Sequence, residues 1–198
     1  MSKTLIINGS PRTNGNTAAL IDEMRKHLDG EVAELSAFRS AISPCVDCRR
    51  CRGNASCAVI DDMSLIYDDD FDNIVLASPI YFCSLPGQVL NILSRFQPQH
   101  AAIYFIKKPL ILRPKKAGLI LTSGGKGNEA GAEHHIRVLF MLLNARGFEE
   151  HKVMSLRTDV LPANEDKQAL ADAGELARWL NTPLGEGAEK AGYGGMER

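Results

Sequence analysis

Lys3-Thr4-Leu5-Ile6-Ile7-Asn8-Gly9-Ser10-Pro11-Arg12-Thr13-Asn14-Gly15-Asn16-Thr17 passes from a short apolar run into a loop crowded with Ser, Asn and Gly. Residues 3–8 read as a buried strand, and residues 17–28 carry Leu20, Ile21, Met24 and Leu28 at helical spacing. A strand that turns directly into a helix is half of a βαβ unit. The first N–H groups of a helix lack intrahelical partners, and the helix dipole adds partial positive charge there, so the loop suits an anion. Ser10, Asn14, Asn16 and Thr17 add short polar side chains, Arg12 can screen negative charge, and Gly9 and Gly15 allow close backbone approach. Five residues separate the two glycines and Asn16 stands where a Walker loop needs Lys, so nucleotide hydrolysis is disfavoured. Pro11 breaks the G-x-G-x-x-G dinucleotide fingerprint. An ordinary capped loop is the plain alternative; a mononucleotide phosphate is the better reading.

The rest of the chain continues the alternation. Strands are expected at 31–36, 73–77, 116–121 and 149–156, with helices at 86–96, 132–146 and 165–180 and a short one after Asp61-Asp62-Met63. The fold class is therefore α/β with a parallel sheet. Residues 1–182 form one domain with a Cys-rich insertion at about 43–60, and 183–198 form a Gly-rich tail. Residues 98–114 are too apolar for a solvated linker and suggest a flap or a subunit contact. In a doubly wound sheet, ligands sit beyond the carboxyl ends of the strands. There the third strand ends in Ser78-Pro79-Ile80-Tyr81-Phe82-Cys83-Ser84 and the fourth in Thr122-Ser123-Gly124-Gly125, a setting for a flat ring.

Composition removes other classes. Of 198 residues, 44% are hydrophobic and 24% charged, with a formal net charge of -1, which favours neither a nucleic-acid binder nor a membrane-surface protein. Met1-Ser2-Lys3-Thr4 runs straight into the first strand, and no stretch has the length of a signal core or a membrane span, so a cytoplasmic location is expected.

In a reducing compartment, clustered cysteines point to metal before disulfides. Cys45, Cys48 and Cys51 stand at C-x2-C-x2-C spacing and Cys57 follows after five more residues. Such thiolates can converge on one ion or cluster, and Arg49, Arg50 and Arg52 can offset their charge. A zinc site, a disulfide with two spare thiols, or cysteines left after loss of a cluster stay open. Cys83 is expected as a small residue packed beside the ring, His134 and His135 as helix decoration, Trp179 as core, and Asp68-Asp69-Asp70 as a solvated turn.

The stretches Asn8-Gly9-Ser10-Pro11-Arg12 with Gly15-Asn16-Thr17, Ser78-Pro79-Ile80-Tyr81-Phe82, and Thr122-Ser123-Gly124-Gly125 resemble the NADPH-dependent FMN reductase family of flavodoxin-like proteins. The resemblance covers about residues 3–180. It implies a flavodoxin-like doubly wound sandwich with a five-stranded sheet of order 2-1-3-4-5 and FMN at the ends of strands one, three and four. By the same resemblance Ser10, Arg12, Asn16 and Thr17 hold the phosphate, Pro79, Ile80, Tyr81 and Phe82 line the isoalloxazine ring, and Ser123, Gly124 and Gly125 lie on its other side. The helix after Ser78-Pro79 departs from many relatives, carrying Leu90, Ser94 and Arg95 where they have Lys and an Asp-Arg pair.

The cysteine segment resembles the compact motif of iron–sulfur flavoproteins, a branch of that family in which a [4Fe-4S] cluster neighbours the FMN. The implied activity is an NAD(P)H-dependent, FMN reductase-like oxidoreductase. It would pass electrons from NAD(P)H or reduced ferredoxin to an acceptor such as a quinone, oxygen or a redox protein. A non-catalytic electron carrier partnered with ferredoxin is the alternative. The resemblance also implies a homodimer or homotetramer.

Overall fold

The computed structural model describes residues 2–126 and 129–184. The Gly-rich tail expected at 183–198 therefore lies, from residue 185 on, outside the described residues. The elements in chain order are β1 (Lys3–Asn8), α1 (Asn16–Arg25), β2 (Glu31–Ser36), α2 (Cys51–Asn54), α3 (Ser64–Tyr67), β3 (Asn73–Pro79), α4 (Gly87–Ser94), α5 (Gln97–Ala101), a π-helical turn (Ala102–Ile106), β4 (Lys115–Ser123), α6 (Ala130–Leu142), β5 (Ala145–Arg146), β6 (Lys152–Leu156) and α7 (Lys167–Asn181). The strands form one sheet of order β2-β1-β3-β4-β5, all pairs parallel, with β6 also paired to β4. This is the expected 2-1-3-4-5 arrangement of a doubly wound fold.

Side chains alternate across each strand, and that alternation divides the core in two. Ile6, Val75, Ala77 and Ile120 face α1 and α7, meeting Leu20, Met24, Leu176 and Leu180. Leu5, Ile7, Leu76, Leu119 and Leu121 face the other way, onto Val89, Ile92, Phe96, Ile136 and Phe140. Both faces are covered, which is why the central strands read as unbroken apolar runs. Among the described residues no helix is long and apolar enough to cross a membrane.

Three expectations need correction. The fifth position of the sheet is shared: Ala145–Arg146 pairs with the start of β4 and Lys152–Leu156 with its end. Consequently α6 stops at Leu142, where Asn144 turns left-handed (φ 52°), and does not reach Arg146. Gly147 (φ 95°) carries the chain past Trp179, whose ring a Cβ would meet at 2.8 Å.

The acidic run is solvated only in part: Asp68 and Asp70 are exposed, but Asp69 is tied inward. Asp69 accepts hydrogen bonds from the N–H groups of Leu112 and Arg113 and pairs with Lys115, while Asp70 pairs with Lys3.

Residues 98–114 begin as helix, and their chain is tied inward at Gln99, whose Oε1 accepts from Leu110 and Ile111 N–H. Trp179 is half-buried and stacks on His151 at 3.7 Å between ring centres.

Candidate functional site: a groove at the strand ends and a four-thiol cavity

Beyond the carboxyl ends of β1, β3 and β4 lies a groove of about 180 Å³. The first loop contributes Ser10, Arg12, Gly15, Asn16 and Thr17; β3 contributes Pro79, Ile80 and Tyr81; β4 contributes Thr122, Ser123 and Gly124. Local bonds fix the first loop. Asn8 Oδ1 accepts from Ser10 N–H at 2.9 Å, and Ser10 Oγ accepts from Arg12 N–H at 3.2 Å. Thr17 and Thr122 join hydroxyls at 2.9 Å across the groove floor. Asn16 Oδ1 accepts from Ala163 N–H, which ties the start of α1 to the far loop. Gly9 has no room for a side chain, since a Cβ would lie 2.6 Å from Val89 Cγ2 of α4 and 2.7 Å from Ser78 Oγ.

No side chain caps α1, whose N-cap is Gly15, so the partial positive charge of its first turn faces the groove without a protein acceptor from the cap. Among the described residues, Arg12 is the only cationic residue lining the groove and Asp159 the only carboxylate. An anionic phosphate fits this cradle.

Four residues expected at the ring or phosphate lie off the groove. Asn14 is on the exposed side of its loop. Phe82 and Cys83 both take left-handed backbone (φ 49° and 63°) in a two-residue turn closed by Tyr81 and Ser84, which turns Phe82 and Cys83 out to solvent. Cys83 is thus not packed as expected. Gly125 lies one residue past the lining, with its carbonyl accepting from Arg157 N–H. Conversely, Thr158 and Asp159 line the groove although the sequence reading passed over them. Their signal was their place directly after β6, at the same sheet edge as the other loops. Thr158 N–H bonds Ser123 O at 2.8 Å, and the Asp159 carboxylate fills the space where a Cβ on Gly124 would sit, 2.5 Å away.

Cys45, Cys48, Cys51 and Cys57 line a second, smaller cavity of about 100 Å³. Among the described residues no three Cys, His, Asp or Glu side chains stand in ligating geometry, so the thiols share a cavity without meeting at one point. Burial, and then the three neighbouring thiols, push the Cys51 thiol up. A cation among them would reverse that penalty, and four soft sulfur donors with Arg49, Arg52 and Arg95 in the same wall suit an iron–sulfur group. Arg50, expected beside them, is not part of the wall. His134 and His135 sit in the second turn of α6, away from both cavities.

The opposite wall comes largely from the segment expected as a flap or a subunit contact. Gln97, Pro98, His100, Ala101 and Phe105 close the cavity, with Arg52 over the Phe105 ring at 5.6 Å. Part of the apolar 98–114 segment thus covers the cysteines. Ser94 and Arg95, the departures noted in the helix after Ser78-Pro79, are also here: Ser94 Oγ accepts from Cys45 N–H at 3.1 Å, and Arg95 lines the cavity. Helix α4 therefore touches both regions, through Val89 at Gly9 and through Ser94 at Cys45.

Known proteins resemble this chain in sequence and in fold. Over 101 residues the chain is 33% identical to an iron–sulfur flavoprotein of Methanocaldococcus jannaschii, a match covering 48% of this chain and 52% of that protein. It is 28% identical to an iron–sulfur flavoprotein of Methanosarcina thermophila over 71% of this chain and 72% of that one. The chain thus spans about half the length of the first of these relatives and more of the second. Its fold is similar to an FMN-dependent NADH-azoreductase from Bacillus anthracis solved in complex with FMN (TM-score 0.67, 15% identity, 91% of this chain and 100% of that one). It is also similar to an apo NADH:FMN oxidoreductase (TM-score 0.58, 17% identity, 99% and 97%). The model of the NADPH-dependent FMN reductases matches residues 2–156, and the chain belongs to that family.

Proposed function

We propose that this chain is an FMN-dependent oxidoreductase passing electrons between a donor, NAD(P)H or reduced ferredoxin, and an acceptor such as a quinone, oxygen or a redox protein. In this reading Cys45, Cys48, Cys51 and Cys57 would hold a [4Fe-4S] cluster, which would supply the one-electron path. The observation that carries it is the pairing, in one chain, of an uncapped helix start in a polar groove with a cavity walled by four cysteines. FMN supplies two-electron uptake and one-electron release, and a cluster supplies one-electron transfer.

The chain's own residues bind and orient. The first-turn N–H groups of α1, with Ser10, Asn16 and Thr17, receive the phosphate, and Arg12 shields its outer charge. Pro79, Ile80 and Tyr81 flank one side of the ring, with Ser123 and Gly124 on the other. Asn14, Phe82 and Gly125 are left out of this contact set because they lie off the groove. No side chain is assigned as acid or base, because hydride and electron transfer at a flavin need none from the protein.

The test is anaerobic purification of the full chain, followed by absorbance spectroscopy and iron, sulfide and FMN analysis. The expected result is one FMN with about four irons and four sulfides per chain. A colourless chain that gains no flavin absorbance with added FMN overturns the reading, and one zinc in place of iron overturns its cluster. Oxidation of NAD(P)H without oxygen then separates an enzyme from a carrier, which would respond to reduced ferredoxin alone. A homodimer or homotetramer is part of the same proposal, checked by light scattering, as is a cytoplasmic location, checked by fractionation.

A further inference from the structure

The cysteine loop has little regular structure of its own: between β2 and α3 only the four residues of α2 are helical. Loops of this kind need side chains to hold their shape. Here the holding group comes from α4's far end, outside the loop. Arg95 is buried, and its guanidinium forms a fork-to-fork pair with Asp61, Nη1 to Oδ2 at 2.5 Å and Nη2 to Oδ1 at 3.1 Å. The same Nη1 donates to Ser43 O at 2.8 Å, two residues before Cys45, and Nη2 donates to Val59 O at 3.1 Å, two residues after Cys57. Asp61 in turn accepts from the N–H groups of Ser43 and Met63. One arginine thus fastens both ends of the cysteine loop.

Four of its five N–H donors sit on the two Nη atoms, which are bonded as described. The fifth, on Nε, is buried with no acceptor among the described residues. The Tyr67 hydroxyl is packed against the same residue and donates to Arg95 O at 2.5 Å. Arg95 lines the four-thiol cavity.

We propose that Arg95 is the positioning residue of this cavity: it clasps residues 43–59 into a preformed thiol pocket. The inference rests on the reading of the cavity as an iron–sulfur site. It places the supporting contacts of that site on α4, at a residue that ligates nothing itself. Such supporting contacts typically alter metal affinity about 10–100-fold.

Two variants of the full chain test it. Arg95→Lys keeps the charge but loses the fork and the Nε–H. The double variant Arg95→Met/Asp61→Leu removes both charges together, which avoids leaving one buried and unpaired. FMN content and thermal melting are expected to match the parent in at least the double variant. Without metal, amide exchange across residues 43–59 is expected to quicken at least about tenfold in both. Uptake of ferrous ion with sulfide is expected to weaken about tenfold or more.

Parent-like exchange and iron uptake in both variants overturn the proposal. So does loss of FMN and of the folded state in both, since Arg95 is then a general structural residue. If the parent takes up no iron and sulfide, the iron–sulfur reading falls. The exchange experiment still judges the clasp, equal rates overturning it and faster rates in the variants supporting it.

Discussion

The groove and the thiol cavity are built by different means. The groove is a by-product of the sheet: β1, β3 and β4 run parallel and in register, so their loops emerge side by side. Ladder-like bonds continue into those loops, from Gly9 N–H to Ala77 O and from Ile80 N–H to Thr122 O. The cavity has no such frame. Its shape depends on a few side-chain contacts across 34 to 52 residues of sequence, chiefly those of Arg95. A site carried by backbone pairing is expected to survive perturbations that open a site carried by one ion pair.

Perturbing each region separately tests how independent they are. The largest effect is expected from Cys48→Ala/Cys51→Ala, which should abolish iron uptake while leaving FMN per chain unchanged, as read by metal analysis and absorbance. Loss of FMN as well would mean the two regions are not separable.

Next is Gly9→Ala, which forces a methyl against Val89 and Ser78 and should cost about 1–3 kcal/mol in urea unfolding. FMN affinity should fall with it, whereas the amide signals of residues 43–59 should hold.

A third perturbation is acid. Burial alone would raise the carboxyl of Asp61, but Arg95 and the N–H groups of Ser43 and Met63 outweigh it and hold it below the usual range. The stability from this group is present above the ordinary Asp value of about 3.9 and is lost as pH falls through the lower folded value. The amide signals of Ser43 and Met63 should therefore shift below about pH 4, ahead of those of Gly9 and Ser10. Simultaneous loss would contradict the contrast between the regions.

The smallest effect is expected from Thr17→Val, which deletes one hydroxyl pair in the groove floor and should cost about 1 kcal/mol.

The same contrast explains what was legible. The groove could be read because its parts are local: Gly9, Ser10, Asn16 and Thr17 lie within one strand–loop–helix passage, and strand ends are marked by Pro79 and Gly124. Phe82 falls outside the groove because a left-handed two-residue turn, without a glycine to announce it, points it outward. Thr158 and Asp159 were missed because the fifth sheet position is split, and the end of β6 was not read as part of the ligand edge.

The cysteine spacing was legible, but not the cavity's wall. Phe105 and Arg95 carry no motif, and only folding brings them beside Cys51 and Cys57. Asp69 looked solvated because its partners, Leu112, Arg113 and Lys115, are more than forty residues away.

Helix α4 has a consequence of another kind. Val89 rests against the phosphate loop at Gly9, and five residues later Ser94 grips Cys45. At a rise of about 1.5 Å per residue, those two attachments are about 7–8 Å apart along the helix axis. The helix is therefore a ruler, and it has a phase as well as a length. One added residue would lengthen it by about 1.5 Å and rotate its far end by about 100°, carrying Ser94 and Arg95 off the cysteine loop while Val89 stays in place. Lineages of this fold that keep both regions should then vary α4 in sequence more freely than in length.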